Sequence, residues 1–83
     1  MNHTEILHLL NKIFRDVLDN NDIVLNSNTT ANDVEDWDSL NHIELVVNIE
    51  KQFDIRFSSK EIQSWKNIGQ LAECINNKLL AIK

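Results

Sequence analysis

Apolar residues recur with helical spacing in three long stretches of this chain and one short one. The first carries Ile6, Leu9, Leu10, Ile13, Phe14, Val17 and Leu18 at i, i+3 and i+4, which places them on one face of a helix. Asn2, with Glu5 three residues on, has the form of an opening cap, so a helix is predicted over about residues 3 to 19. From Asp19 to Asp38 the period is lost and Asn, Asp and Thr dominate; their side chains bond nearby backbone and favour turns. This segment reads as a long loop, pinned to the core by Ile23, Leu25 and Val34.

Helical spacing returns near Ser39 and runs to Phe53 or Asp54. Ser58-Ser59-Lys60-Glu61 then forms a capping box, with Phe57 before it and Ile62 placed to staple against it, which predicts a short helix to about Trp65. Asn67-Ile68-Gly69-Gln70 repeats that logic for a last helix striped by Ile68, Leu71, Ala72, Ile75, Leu79 and Ile82. The predicted fold is all-α, a four-helix bundle of three long helices and one short helix, with a long loop between the first two. No repeat or boundary divides the chain, so residues 1–83 form a single domain.

The second helix has two apolar sides. At about 100° per residue, Leu45, Val46, Ile49 and Phe53 share the side expected to face the core. Leu40 and Val47 fall opposite, with Ile43 at their edge and Glu44, Lys51 and Asp54 around them. An exposed apolar pair ringed by charge has the composition of an interaction site, although single apolar residues are also common on ordinary surfaces.

Charge sharpens this picture. Thirteen acids against eight bases give a net charge of -5, and between Asp33 and Asp54 stand seven acids and one base, Lys51. Such a field repels nucleic acid and anionic lipid and attracts basic partners. At 83 residues, with 42% hydrophobic and 25% charged residues, the chain fits one small folded domain without a large internal cavity. The single cysteine, Cys74, flanked by Leu71 and Ile75, is expected to be a partly buried structural thiol, and no Cys/His spacing suggests zinc. No apolar run approaches the roughly 18 residues of a membrane span, and the start lacks the blocks of a signal peptide. Both point to the cytoplasm.

The chemistry gathers at Asp36-Trp37-Asp38-Ser39-Leu40, where the polar loop meets the second helix. A serine there is either the helix N-cap or an exposed hydroxyl at a positive helix end. His42 lies one turn away, but a Ser39–His42 hydrolytic pair would need an orienting group and an oxyanion site that a domain of this size hardly offers. His42 is read instead as a half-buried packing residue, Trp37 as a brace for the loop, and Trp65 as a lid on the core.

Taken together, the acidic loop, Asp-Ser-Leu, the helix with Glu44-Leu45-Val46 five residues on, Phe53-Asp54-Ile55 and a short capped helix occur in an order that resembles the acyl carrier protein family over nearly the whole chain. The resemblance implies a non-enzymatic carrier whose serine, here Ser39, holds 4′-phosphopantetheine derived from coenzyme A and bears acyl cargo as a thioester. It implies a phosphopantetheinyl transferase and acyl-loading and acyl-processing enzymes with basic docking patches as partners, no nucleic acid, a monomer, and a place in fatty acid biosynthesis or related lipid metabolism. Asp38, Leu40, Glu44, Val47, Glu50 and Asp54 are the docking candidates, carried over by position. The second helix is poorer in acids than in carriers of central fatty-acid synthesis, with Asn41, His42, Asn48, Lys51 and Gln52, and Trp-Asp-Ser-Leu looks more like specialised carriers. Aminoacyl or peptidyl cargo, or an unmodified helical adaptor using the same acidic face, are the alternatives.

Overall fold

The structure, a computed structural model, describes residues 2–34 and 37–82, with side chains as far as Ala81. Four helices follow in order: α1 His3–Leu18, α2 Ser39–Phe53, α3 Ser59–Ser64 and α4 Ile68–Ile82. The described residues contain no strand. The predicted all-α architecture of three long helices and a short one is therefore the observed one.

Each helix starts where the sequence places a cap. Asn2 Oδ1 accepts from the Glu5 backbone N–H at 2.8 Å, Ser58 and Glu61 complete a reciprocal capping box, and Asn67 Oδ1 accepts from the Gln70 N–H at 2.9 Å. These bonds satisfy donors that the first turn of a helix leaves without partners. Gln70 departs from the expected pattern: its side chain accepts from Lys66 N–H at 2.8 Å rather than completing a box with Asn67. The C-terminal ends lack glycine, so Asp19 (φ 51°) and Asp54 (φ 54°) adopt the left-handed conformation that closes α1 and α2, a geometry that short polar side chains tolerate.

The apolar stripes meet in one core. Ile6, Leu10, Phe14, Leu45, Ile49, Ile68, Leu71 and Ile75 are all but inaccessible, with α1 packed against both α2 and α4. Leu79 packs against this core from its edge, while the side chain of Ile82, the last of the predicted stripe, lies outside the described residues. Burial of this kind, at roughly 25 cal/mol per Å2 of apolar surface, is the main favourable contribution to a domain this small.

The long connection is less irregular than its composition suggests. It contains a 3-10 turn at Ala31–Asp33, fastened by the Asp33 carboxylate accepting from Thr30 N–H at 3.0 Å. Ile23, Leu25 and Val34 are buried as expected. Polar groups of α1 hold the backbone too: Arg15 Nε donates to Ile23 O at 2.7 Å and Asn11 Oδ1 accepts from Leu25 N–H at 2.7 Å.

At the other end, the Ile68 and Gly69 N–H groups donate to Thr29 O at 2.8 Å and Ser27 O at 2.9 Å. The start of α4 is thus capped partly by the loop's own backbone, and this explains the chain's one glycine. A Cβ at position 69 would stand 2.9 Å from Ser27 O, closer than atoms pack. Gly69→Ala is therefore expected to destabilise the domain by about 1–3 kcal/mol through overpacking, against the roughly 1 kcal/mol that alanine gains by helix propensity. An unchanged or raised urea midpoint would refute this account of Gly69.

The short α3 is held by one charged junction. Glu61 accepts from Ser58 N–H at 2.8 Å and pairs with Lys78 Nζ of α4 at 2.9 Å. The Ser58 backbone bond first, then Lys78, lower its pKa from 4.5 to about 2. A carboxyl with a depressed folded-state pKa contributes stability that is present above its unfolded value and lost as pH falls through the folded one. The stability difference between the wild type and Glu61→Gln should therefore be fully developed at neutral pH and shrink between pH 4.5 and about 2. Urea titrations across that window check it; a difference independent of pH would refute it.

Candidate functional site

Backbone geometry settles what occupies the start of α2. Asp38, not Ser39, is the N-cap: its backbone is extended and its Oδ1 accepts from the Asn41 N–H at 2.9 Å. Ser39 is the first helical residue and is exposed. Its hydroxyl is therefore relieved of the capping role, and it makes no hydrogen bond to any of the described residues. The helix end offers partial positive charge to an anion held there.

Behind Ser39 the loop is braced by rings. Trp37 stands edge-on to the buried Phe14, with centroids 4.9 Å apart at 90°, and lies over His42 at 5.9 Å and 26°. Its indole N–H donates to His42 Nδ1 at 2.9 Å. His42 in turn meets Trp65 edge-on at 6.0 Å, and Trp65 meets Phe57 at 4.8 Å. The expected packing roles of Trp37, His42 and Trp65 are observed, joined in a single chain of aromatic contacts from α1 to α3. Because the Trp37 indole can only donate, Nδ1 of His42 must accept, and the proton of the neutral ring sits on Nε2.

The space beside these rings leaves little trace in the sequence. A cleft of about 690 Å3 runs between the start of α2 and α3, and Trp37, Ser39, His42, Ile62, Trp65 and Lys66 are among its lining residues. Only the Trp37–His42 spacing could have hinted at it, since Ile62, Trp65 and Lys66 arrive from α3 and the link after it.

The outer face of α2 follows the projection. Leu40 and Ile43 are 73% and 62% exposed and Val47 42%, while Leu45, Val46, Ile49 and Phe53 are buried. Glu44 and Asp54 are exposed beside them. Other acids are occupied within the fold: Asp38 caps α2, Asp33 fastens the 3-10 turn, and Glu50 accepts from Phe57 N–H at 2.8 Å. Glu50, one of the docking candidates, is also half-buried rather than freely exposed. Glu35 and Asp36, counted in the acidic run, lie outside the described residues. Arg56, one residue beyond Ile55, shares a groove with Glu50 and Asp54 and offsets their charge.

Cys74 is half-buried. Burial pushes its thiol up, with the Trp65 indole opposing and Glu61 adding to the rise, so its thiolate fraction at neutral pH is small and its reactivity low. No group of three or more His, Cys, Asp or Glu among the described residues is placed to hold a metal ion, and no described helix is long and apolar enough to cross a membrane.

Residues 8–75 match the family model described as "Phosphopantetheine attachment site". No curated protein sequence matches the chain. Among solved structures, the chain is similar to the holo acyl carrier protein of Geobacter metallireducens, whose solution NMR structure superposes with a TM-score of 0.87 at 43% identity, covering 93% of this chain and 88% of that one. The residues at the α2 N-terminus suit such a prosthetic group: an unhindered primary hydroxyl, a helix end that favours a phosphodiester, and an adjoining cleft that offers the His42 Nε2–H and the Lys66 ammonium. On the match across residues 8–75 and the shared fold, the chain belongs to the family of phosphopantetheine attachment domains, acyl carrier protein-like domains whose prosthetic group is 4′-phosphopantetheine.

Proposed function

We propose that this protein is an acyl carrier whose 4′-phosphopantetheine arm is attached to Ser39 and bears acyl intermediates as thioesters. The observation that carries the assignment to Ser39 is its exposed hydroxyl at the first position of α2, with the cap supplied by Asp38. Attachment forms a bond from Ser39 Oγ to the phosphorus next to the pantetheine of coenzyme A. The pyrophosphate bond breaks and the nucleotide bisphosphate leaves. The serine proton passes to a base on the transferase, since none of the described residues places a base on the Ser39 hydroxyl. The new phosphodiester stands where the α2 dipole stabilises negative charge.

Partner enzymes dock on the outer face of α2. Leu40 and Val47 supply apolar contact, and Glu44 and Asp54 supply charge, for partners with basic patches. Asp38 and Glu50 border the same face with their carboxylates already engaged, and so contribute through shape and residual field. Exposed charges of this sort act on encounter rate and partner choice more than on affinity, which suits transient docking. The same reading places the protein in cytoplasmic lipid metabolism as a monomer. Acyl rather than aminoacyl cargo is favoured by the 43% identity to an acyl carrier protein.

The test is intact-mass measurement after incubation with coenzyme A and a broad-specificity phosphopantetheinyl transferase. One phosphopantetheine increment supports the carrier. No increment supports an unmodified adaptor that binds partners through the acidic face.

A further inference from the structure

The Ser39 side chain bonds none of the described residues, so the direction of its hydroxyl is set by the backbone on either side of it. Helix ends fray, and the serine stands at one. Two bonds that hold this end belong to any capped helix: the Asn41 N–H donates to Asp38 Oδ1 at 2.9 Å, and the His42 N–H donates to Asp38 O at 2.8 Å. The third is particular to this chain. The Trp37 indole N–H donates to His42 Nδ1 at 2.9 Å, which ties the residue before the cap to the turn after the serine. Trp37 is thereby held from two sides, to α1 through its edge-on contact with Phe14 and to α2 through His42. Its backbone N–H also donates to Val34 O at 3.2 Å, so the end of the loop moves with it.

We propose that His42 is a positioning residue for the loading of Ser39: by accepting the Trp37 indole N–H on Nδ1 it latches the loop to the first turn of α2 and holds the serine hydroxyl in the direction from which the transferase takes it. The proposal rests on the carrier reading above. His42 acts through Trp37, and among the described residues it makes no bond to Ser39. What the latch needs at position 42 is an acceptor one atom beyond Cγ, which imidazole Nδ1 and a shorter carboxamide both supply and an aliphatic side chain does not. Misplacing a reacting group by 1 Å can cost about 10²-fold in rate, and releasing one bond at an exposed turn is a milder change, worth about tenfold in loading. The loss falls on the rate at saturating carrier. Glu44 and Val47 stand exposed on the outer face of α2, whereas Trp37 and His42 are half-buried, so docking and the half-saturating concentration are little altered.

The experiment measures initial rates of phosphopantetheine attachment by intact mass, over a range of carrier concentrations, with coenzyme A and a broad-specificity transferase. Wild type is compared with His42→Leu, His42→Asn, Trp37→Phe and the double variant Trp37→Phe/His42→Leu, each checked for helical circular dichroism. His42→Leu keeps bulk beside Trp37 and Trp65 but has no acceptor, while His42→Asn keeps an acceptor and gives up both ring contacts. The latch predicts a loss of about tenfold at saturation in the leucine variant and recovery in the asparagine variant. Trp37→Phe, which keeps a ring on Phe14 and removes the donor, loses a similar factor, and the double variant loses no more than either single one, because both remove the same interaction. In 1H–15N spectra the Trp37 indole signal moves in His42→Leu and stays near its wild-type place in His42→Asn. Wild-type loading by His42→Leu, better loading by leucine than by asparagine, or losses that multiply in the double variant would each overturn the latch while leaving the carrier intact. If His42→Leu does not fold, Trp37→Phe decides: loading at the wild-type rate overturns the latch, and a loss confined to the saturated rate supports it. A wild-type sample that takes no increment overturns the carrier reading, and the latch with it.

Discussion

Ser39→Ala abolishes phosphopantetheine attachment and leaves the fold unchanged. Both halves of this expectation follow from the position of the residue. Ser39 is exposed at the first turn of α2, and its hydroxyl bonds none of the described residues. Removing one oxygen there opens no cavity and orphans no partner among the described residues. Alanine is at least as good a helix former as serine, and the cap belongs to Asp38, so the change in stability should stay within about 0.5 kcal/mol. Far-UV circular dichroism and the urea midpoint therefore match the wild type, while the mass increment is lost entirely. Loading of the variant at another residue would remove Ser39 from its role without touching the family assignment. A large drop in stability would mean instead that the serine serves the helix.

Phe14→Ala has the opposite profile, severe for the fold and indirect for the site. Phe14 is fully buried in α1, and deleting a buried aromatic ring typically costs 3–5 kcal/mol. Domains of this size have on the order of 4–12 kcal/mol in total, at about 0.05–0.15 kcal/mol per residue, so one substitution takes a large part of the margin. The ring also braces Trp37 at 4.9 Å, and Trp37 is the residue before the cap that positions Ser39. Under conditions where the variant stays folded, Trp37 should lose its fixed environment, seen as weaker near-UV circular dichroism and stronger acrylamide quenching. A urea midpoint close to that of the wild type would show that the core closes over the gap and that Phe14 is not its keystone.

Much of this architecture is legible in one dimension because the helices are amphipathic and their starts are capped by short polar side chains. Asn2, Ser58 and Asn67 act within three residues of themselves, and a local rule finds local bonds. The two faces of α2 were readable for the same reason: a 3.6-residue period fixes which side chains share a side, and burial of Leu45 and Ile49 against exposure of Leu40 and Val47 follows. The engagement of Glu50 is not legible in the sequence because its partner, the Phe57 N–H, lies beyond the end of the helix, where the chain turns after Asp54. Periodicity marks a residue's angular position, not what a following loop brings beside it. The 3-10 turn at Ala31–Asp33 was missed because three residues show no period, although Thr30 and Asp33 carry its fastening.

The sequence by itself determined the helices, their capped starts, the buried and outer faces of α2, and the candidate serine, because each depends on residues within a turn or two of one another. The tertiary structure decided which groups keep company across the fold. It set Trp37 on Phe14 and brought Ile62, Trp65 and Lys66 up to the N-terminal end of α2, beside Ser39. It also made glycine a necessity at position 69, where α4 meets the Ser27 carbonyl. These pairings join residues distant in the chain, and only the shared burial of the helices' apolar faces fixes the distances between them.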